Sequence, residues 1–203
     1  MLAQLSTLKV RLAIPAIDVQ YDDLLTTALT ATSARFDREL NRTLAHTVNI
    51  THEFTSGDTE IIPPCYPIES VSKFELKFTE AEGWLEQTGV DYLIRRACII
   101  SLQSPLSTLN SQPSTCRVTY TGGYVLPGDT PALGQTALPA DLEQAAIEQA
   151  ATWFQNRDKL GLIRHWPHGG VYQMFSQLPL LPGSKRSWSA IAAGPSSGQR
   201  SQP

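Results

Sequence analysis

The stretch Val71-Ser72-Lys73-Phe74-Glu75-Leu76-Lys77-Phe78 reads with a period of two. Successive side chains of a strand point to opposite faces, so this pattern predicts a β-strand with one covered face. Working outward, Thr47-Val48-Asn49-Ile50-Thr51 and Arg117-Val118-Thr119-Tyr120 repeat the pattern, and Tyr92-Leu93-Ile94 and Ile99-Ile100 are shorter strand candidates. Turn chemistry separates them: Ser56-Gly57-Asp58, Pro63-Pro64, Glu82-Gly83, Gly122-Gly123 and Pro127-Gly128. Residues 45–125 therefore read as a small antiparallel β unit. Residues 124–138 show no periodicity and read as a surface loop.

On either side of this unit the period changes to that of a helix. Leu2, Leu5, Leu8 and Leu12 fall three to four apart, and Pro15 is expected to stop the run. Asp18 is the expected N-cap of a second helix, with Asp22 and Asp23 in its first turn, where they complement the dipole. Its stripe of Tyr21, Leu25, Ala28, Leu29, Thr32, Phe36 and Leu40 carries it to about Arg42. A third and longer helix is expected over residues 139–159. Pro139 suits its first turn, Leu142, Ala145, Ala146, Ala150, Trp153 and Phe154 give a wide apolar face, and Gly161 is the expected C-cap. Ala145, Ala146, Ala150 and Ala151 are small enough for close helix approach and are candidate subunit contacts. The expected fold is α+β. Residues 1–44 and the long helix 139–161 form a helical bundle core, residues 45–138 form an inserted β unit and loop, and residues 162–203 form an extended basic tail.

That tail is rich in Gly, Pro and Ser and has no period, yet it carries Trp166, Phe175, Trp188 and Ile191. Large apolar groups in an aperiodic segment need a surface to cover them, either the chain's own core or a partner. The charge is uneven as well. Residues 51–100 carry nine acids and four bases, whereas residues 151–203 carry six bases and one acid. Over the 203 residues the formal charge is only −3, which excludes a broadly basic nucleic-acid binder. Nowhere does an apolar run approach the roughly 20 residues of a membrane helix, and no secretory leader is visible.

Catalytic and cofactor motifs are not found. There is no GxSxG, HExxH or GxGxxG, and Gly128 and Gly134 are followed by Gln135-Thr136 instead of the Lys-Ser/Thr of a phosphate loop. His165 and His168 flank Trp166-Pro167, which denies them the helical spacing of metal ligands. Cys65, Cys98 and Cys116 include no CxxC and read as reduced structural thiols. No enzyme, cofactor or metal site is expected.

The ordered set of motifs resembles one family. It runs from Leu5-Ser-Thr-Leu-Lys9 through Tyr21-Asp22-Asp23-Leu24-Leu25, Ala34-Arg35-Phe36 and Asn41-Arg42. It continues with Pro67-Ile68-Glu69-Ser70-Val71 and Asp91-Tyr92-Leu93-Ile94. Val118-Thr119-Tyr120-Thr121-Gly122-Gly123-Tyr124, Leu138-Pro139-Ala140-Asp141-Leu142 and Asn156-Arg157-Asp158 complete it. This order resembles the head-to-tail connector, or adaptor, proteins of tailed bacteriophages and phage-derived gene transfer particles. The resemblance implies a virion structural protein of the neck, assembled in the host bacterial cytoplasm. It implies a ring, usually of twelve copies, between the portal protein and the next neck or tail ring protein. DNA would pass through it without sequence-specific binding. The tail departs from the family's short helical end, and its Trp166, Phe175, Lys185, Arg186, Trp188 and Ile191 are candidate portal-docking residues. The alternatives are another neck or tail-completion protein, or an enzyme without a visible motif.

Overall fold

Three amphipathic segments fold as helices. In the computed structural model, which describes residues 1–106 and 115–157, they are α1 (Leu5–Arg11), α2 (Asp22–Leu40) and α3 (Ala140–Gln155). They pack on one another and belong to one compact unit, whose described residues are 1–40 and 139–157. Leu8, Leu25, Leu29, Phe36, Leu142 and Ala150 are fully buried on their facing stripes. Tyr21 meets Phe154 edge to face, with ring centroids 5.3 Å apart. The α2 hydroxyls of Thr27, Thr30 and Ser33 donate to carbonyls one turn back, so these polar residues sit in the helix without orphaned groups.

Residues 41–138 form the second unit. Its first sheet has the order β1 (Thr47–Phe54), β7 (Thr115–Gly122), β3 (Ile68–Lys77), β4 (Leu85–Gln87), all antiparallel. A second antiparallel sheet orders β2 (Glu60–Ile61), β6 (Ile99–Leu102) and β5 (Tyr92–Arg95). β8 (Tyr124–Val125) and β9 (Thr136–Ala137) pair in parallel. The core of this unit is Ile61, Cys65, Ile68, Phe74, Leu76, Ile100, Leu102, Leu106, Cys116, Val118 and Tyr120. Buried Tyr120 accepts a hydrogen bond on its phenolic oxygen from the Cys65 amide at 3.1 Å, and burial pushes its hydroxyl pKa up to about 12. Arg42 is buried as well. Its guanidinium lies 3.3 Å from the centre of the Tyr66 ring and donates to the Tyr66 carbonyl.

Several expectations need correction. The helical bundle core with a long helix 139–159 is not what forms. Among the described residues there are three helices and nine strands, with helical and strand residues in nearly equal number, and the two larger sheets are antiparallel and have a hydrophobic core of their own. The third helix ends at Gln155 because Asn156 caps it, its amide and side-chain amide both donating to the Thr152 carbonyl. Asp18 is not the N-cap of α2. Its carboxylate accepts from the Gln20 amide inside the preceding turn, and the helix begins at Asp22. The expected loop 124–138 contains β8 and β9, and Tyr124, Val125 and Leu138 are buried. The expected tail 162–203 lies outside the described residues.

Gly122 is the tightest point of the β unit. A Cβ there would stand 2.7 Å from the Pro67 carbonyl oxygen and 2.9 Å from that of Cys65. Both obstacles are backbone, so relief requires strand movement. Gly122→Ala is therefore expected to cost about 2 kcal/mol or more, within the range of overpacked cores. A denaturation midpoint indistinguishable from the parent would refute this account of the strand crossing.

Candidate functional site

None of the described residues forms a metal centre. No cluster of three or more His, Cys, Asp or Glu side chains occurs among them that is placed to hold a metal. A shallow cleft of about 280 Å³ runs beside β3 and β4, lined by Val71, Lys73, Phe74, Gln87, Val90 and Tyr92. An adjoining cleft of about 140 Å³ is lined by Gln87, Asp91, Ser104, Pro105 and Leu106, with Gly89 and Val90. Ser72, Glu86 and Thr88 also line the first cleft, and the Ser72 hydroxyl donates to Asn49 Oδ1 at 3.3 Å. His46 Nε2 lies 2.9 Å from Glu69 Oε2 and 3.3 Å from Gln135 Nε2, a brace between loop and sheet. Burial pushes His52 below the usual histidine range, and the charge of Glu53 partly opposes this. Among the described residues no helix is long and apolar enough to cross a membrane.

The charged surface of the β unit is built around Glu75. It is buried on β3, between Lys73 at 3.0 Å and Arg117 at 2.8 Å. Arg117 in turn lies 4.2 Å from the centre of the Trp84 ring. Burial alone would raise the Glu75 carboxyl, but hydrogen bonds and charge from Lys73 and Arg117 hold it below the usual carboxylate range. With this acid neutralised at home, the exposed acids are left to set the sign of the surface. Residues 41–138 carry ten acids against six bases. Glu80 and Glu60 stand out into solvent, although Lys77 and Arg95 approach them.

The helical unit presents a different surface. Lys9 on α1 is only 5% exposed. Its ammonium donates to the Ala16 carbonyl at 3.3 Å and pairs with Asp22 at 2.5 Å. This staple fixes the α1–α2 connection from inside, while Ile17 and Val19 on the same connection face solvent at 90% and 69% exposure. Neither feature was expected from the sequence. The available signal was an apolar, aperiodic stretch around Pro15, the same signal that singles out the tail.

Ala145, Ala146, Ala150 and Ala151, the candidate subunit contacts, are all buried within the chain. Their small side chains serve the close packing of α3. Trp166, Phe175, Lys185, Arg186, Trp188 and Ile191 lie outside the described residues, as do His165 and His168.

No protein-family model matches the sequence, and a search of curated proteins finds no match. Solved structures do show similarity. The fold is similar to that of a chain in the neck of an empty gene transfer agent particle computed with C6 symmetry. That pair is 16% identical, covers 92% of this chain and 89% of the other, and has a TM-score of 0.56. Weaker likenesses are to the neck of the native particle computed with C12 symmetry (17% identity, 84% and 86% covered, TM-score 0.48) and to the native virion (20%, 75% and 71%, 0.44). At such identities the first likeness establishes a shared fold with a neck component.

The Glu75 network supplies a test of the charge assignment. A carboxyl with a lowered folded pKa stabilises the protein above the ordinary carboxylate value, near 4.3, and that contribution is lost as pH falls through the folded value. Glu75→Gln should cost about 1.5–3 kcal/mol at neutral pH and flatten the acid limb of the stability profile. Thermal unfolding from pH 7 down to pH 3 reads both effects. An acid limb unchanged by the substitution would mean that other carboxylates govern it.

Proposed function

We propose that the chain is a structural protein of a virion neck, a ring adaptor that joins the portal to the next neck or tail ring protein. The observation that carries this reading is the fold shared with a neck chain over 92% of this sequence. The ordered motifs that resemble head-to-tail connector proteins support it independently. In this reading the ring contains twelve copies, a number compatible with the C6 symmetry of that particle's neck. It assembles in the host bacterial cytoplasm, and DNA passes through it. The excess of acids over bases in residues 41–138 suits a conduit wall, because like charge repels a passing phosphate backbone and keeps it from sticking.

Attachment to the portal falls to the basic tail, with Trp166, Phe175, Trp188 and Ile191 as apolar anchors and Lys185 and Arg186 meeting an acidic surface. Weak individual contacts suffice, since a ring multiplies them. Replacing Trp166 and Trp188 by Ala, and Lys185 and Arg186 by Glu, should leave the subunit folded. Its co-sedimentation with DNA-filled, portal-bearing heads should fall about tenfold or more, as expected when anchor residues are lost. Full occupancy of the heads by this variant would exclude the tail as the anchor.

A further inference from the structure

Five of the six basic residues of the β unit are engaged within the chain. Arg42 lies over the Tyr66 ring, and Lys73 and Arg117 hold Glu75. Lys77 pairs with Glu80 at 2.6 Å, and Arg95 approaches Glu60 at 3.6 Å. Arg96 differs. It is exposed, and among the described residues its guanidinium has no partner. With Ala97 it forms the tip of the hairpin between β5 and β6, and both residues have positive φ, 52° and 54°. Gly takes such positions without strain, whereas Arg and Ala do not. The tip is nevertheless fixed. The Ala97 carbonyl accepts from the Ile68 amide at 2.6 Å, and the Cys98 amide donates to Arg95 at 3.1 Å. A strained, anchored turn thus presents the one unpaired cation of an acidic unit, and backbone strain of this kind persists where a position is constrained.

The opposite charge stands at the other end of β5. The two clefts beside β3 and β4 share Gln87, Gly89 and Val90 and are therefore continuous. Glu86 lines one and Asp91 the other, both exposed. Among the described residues neither carboxylate meets a cation or a hydrogen-bond donor, and Glu86 stands in register with another acid, Glu75. The cleft is as firmly built as the tip. The Asp91 carbonyl accepts from the Gln103 amide at 3.1 Å, and the Tyr92 ring packs on Phe74 at 5.5 Å. Asp91 and Arg96 flank the four residues of β5, a separation of roughly 10 Å or more at about 3.3 Å per residue, so one chain does not join them. We infer that the Arg96 tip of one copy enters the cleft of the next copy and pairs there with Glu86 and Asp91. Two unlike surfaces joined head to tail are what a closed ring requires. One such ion pair contributes little, and closure of the ring adds the contacts together. The inference rests on the ring reading and names the contact between neighbouring copies.

A disulfide trap on the full chain, alone and on portal-bearing heads, tests it. Cys98→Ser serves as the background, because Cys65 and Cys116 are buried. One variant carries Ala97→Cys beside the intact Arg96, and the other carries Thr88→Cys in the cleft. Mixed and oxidised, the two should give a covalent dimer in about tenfold higher yield than when Leu133→Cys, fully exposed elsewhere, replaces Thr88→Cys, since docked thiols react at high effective concentration. Adding Arg96→Asp to the first variant should lower the yield about tenfold, because like charges then face each other. Adding Glu86→Lys and Asp91→Lys to the second variant should then restore it. No excess of dimer in either setting overturns the inference, as does a yield that ignores both sets of charges. Electron microscopy of the same heads separates the two readings: rings without the cross-link leave the neck reading standing and refute this contact, whereas heads without rings refute both.

Discussion

The close approach of backbones at Gly122 and Gly123 sets the geometry of the β unit. Gly122 stands in register with Thr47 of β1 on one side and Ile68 of β3 on the other. Gly123, at φ +103°, brings its Cα so near Ala45 that a Cβ would lie 2.5 Å from the carbonyl oxygen. Its amide donates to Pro67, and the next amide, of Tyr124, donates to Leu44. One dipeptide thus gathers the starts of β1 and β3 against the end of β7 and turns the chain into β8. No side chain fits at either position, and only glycine takes the second conformation without strain. The phenol of Tyr120, two residues earlier, fixes the Cys65 amide beneath the same crossing.

The helical unit uses a different device. Its α1 has seven residues and would not persist alone. It is held by Leu8, buried against the other helices, and by the neighbouring Lys9, whose charge is matched by Asp22 at the start of α2. A buried ammonium is costly without a partner, so the pair ties the position of α1 to the first turn of α2. The consequence is a firmly placed α1–α2 connection that turns apolar groups outward.

The longer strands were legible because burial imposes a period of two on them. Phe74, Leu76, Val118 and Tyr120 alternate in sequence and line the core of the β unit. Strands of two residues leave no such trace. β8 and β9 form only because Tyr124 and Val125 find Thr136 and Ala137 across an intervening loop, and the segment reads as irregular. The helices were over-read for the converse reason, since an amphipathic stripe is the strongest local signal. Arg157 and Lys159 appeared to complete the third helix by favouring its dipole, yet the Asn156 cap ends it earlier. The four alanines are buried, but sequence cannot say whether a small-residue stripe meets another helix of the same chain or another subunit. Lys9 illustrates the remaining gap. A lysine between apolar residues reads as a solvated charge until its partner, thirteen residues away, is brought beside it.

The two units each have a core of their own, and the fold is similar to that of a chain in the neck of a gene transfer agent particle. The most direct test of the neck reading is electron microscopy of the full chain mixed with the portal of its own particle. The account predicts a closed ring of twelve copies seated on the tail-facing end of the portal, with the channel continuous through both. Portals that remain bare, with the chain in solution as single copies at saturating concentration, would contradict it.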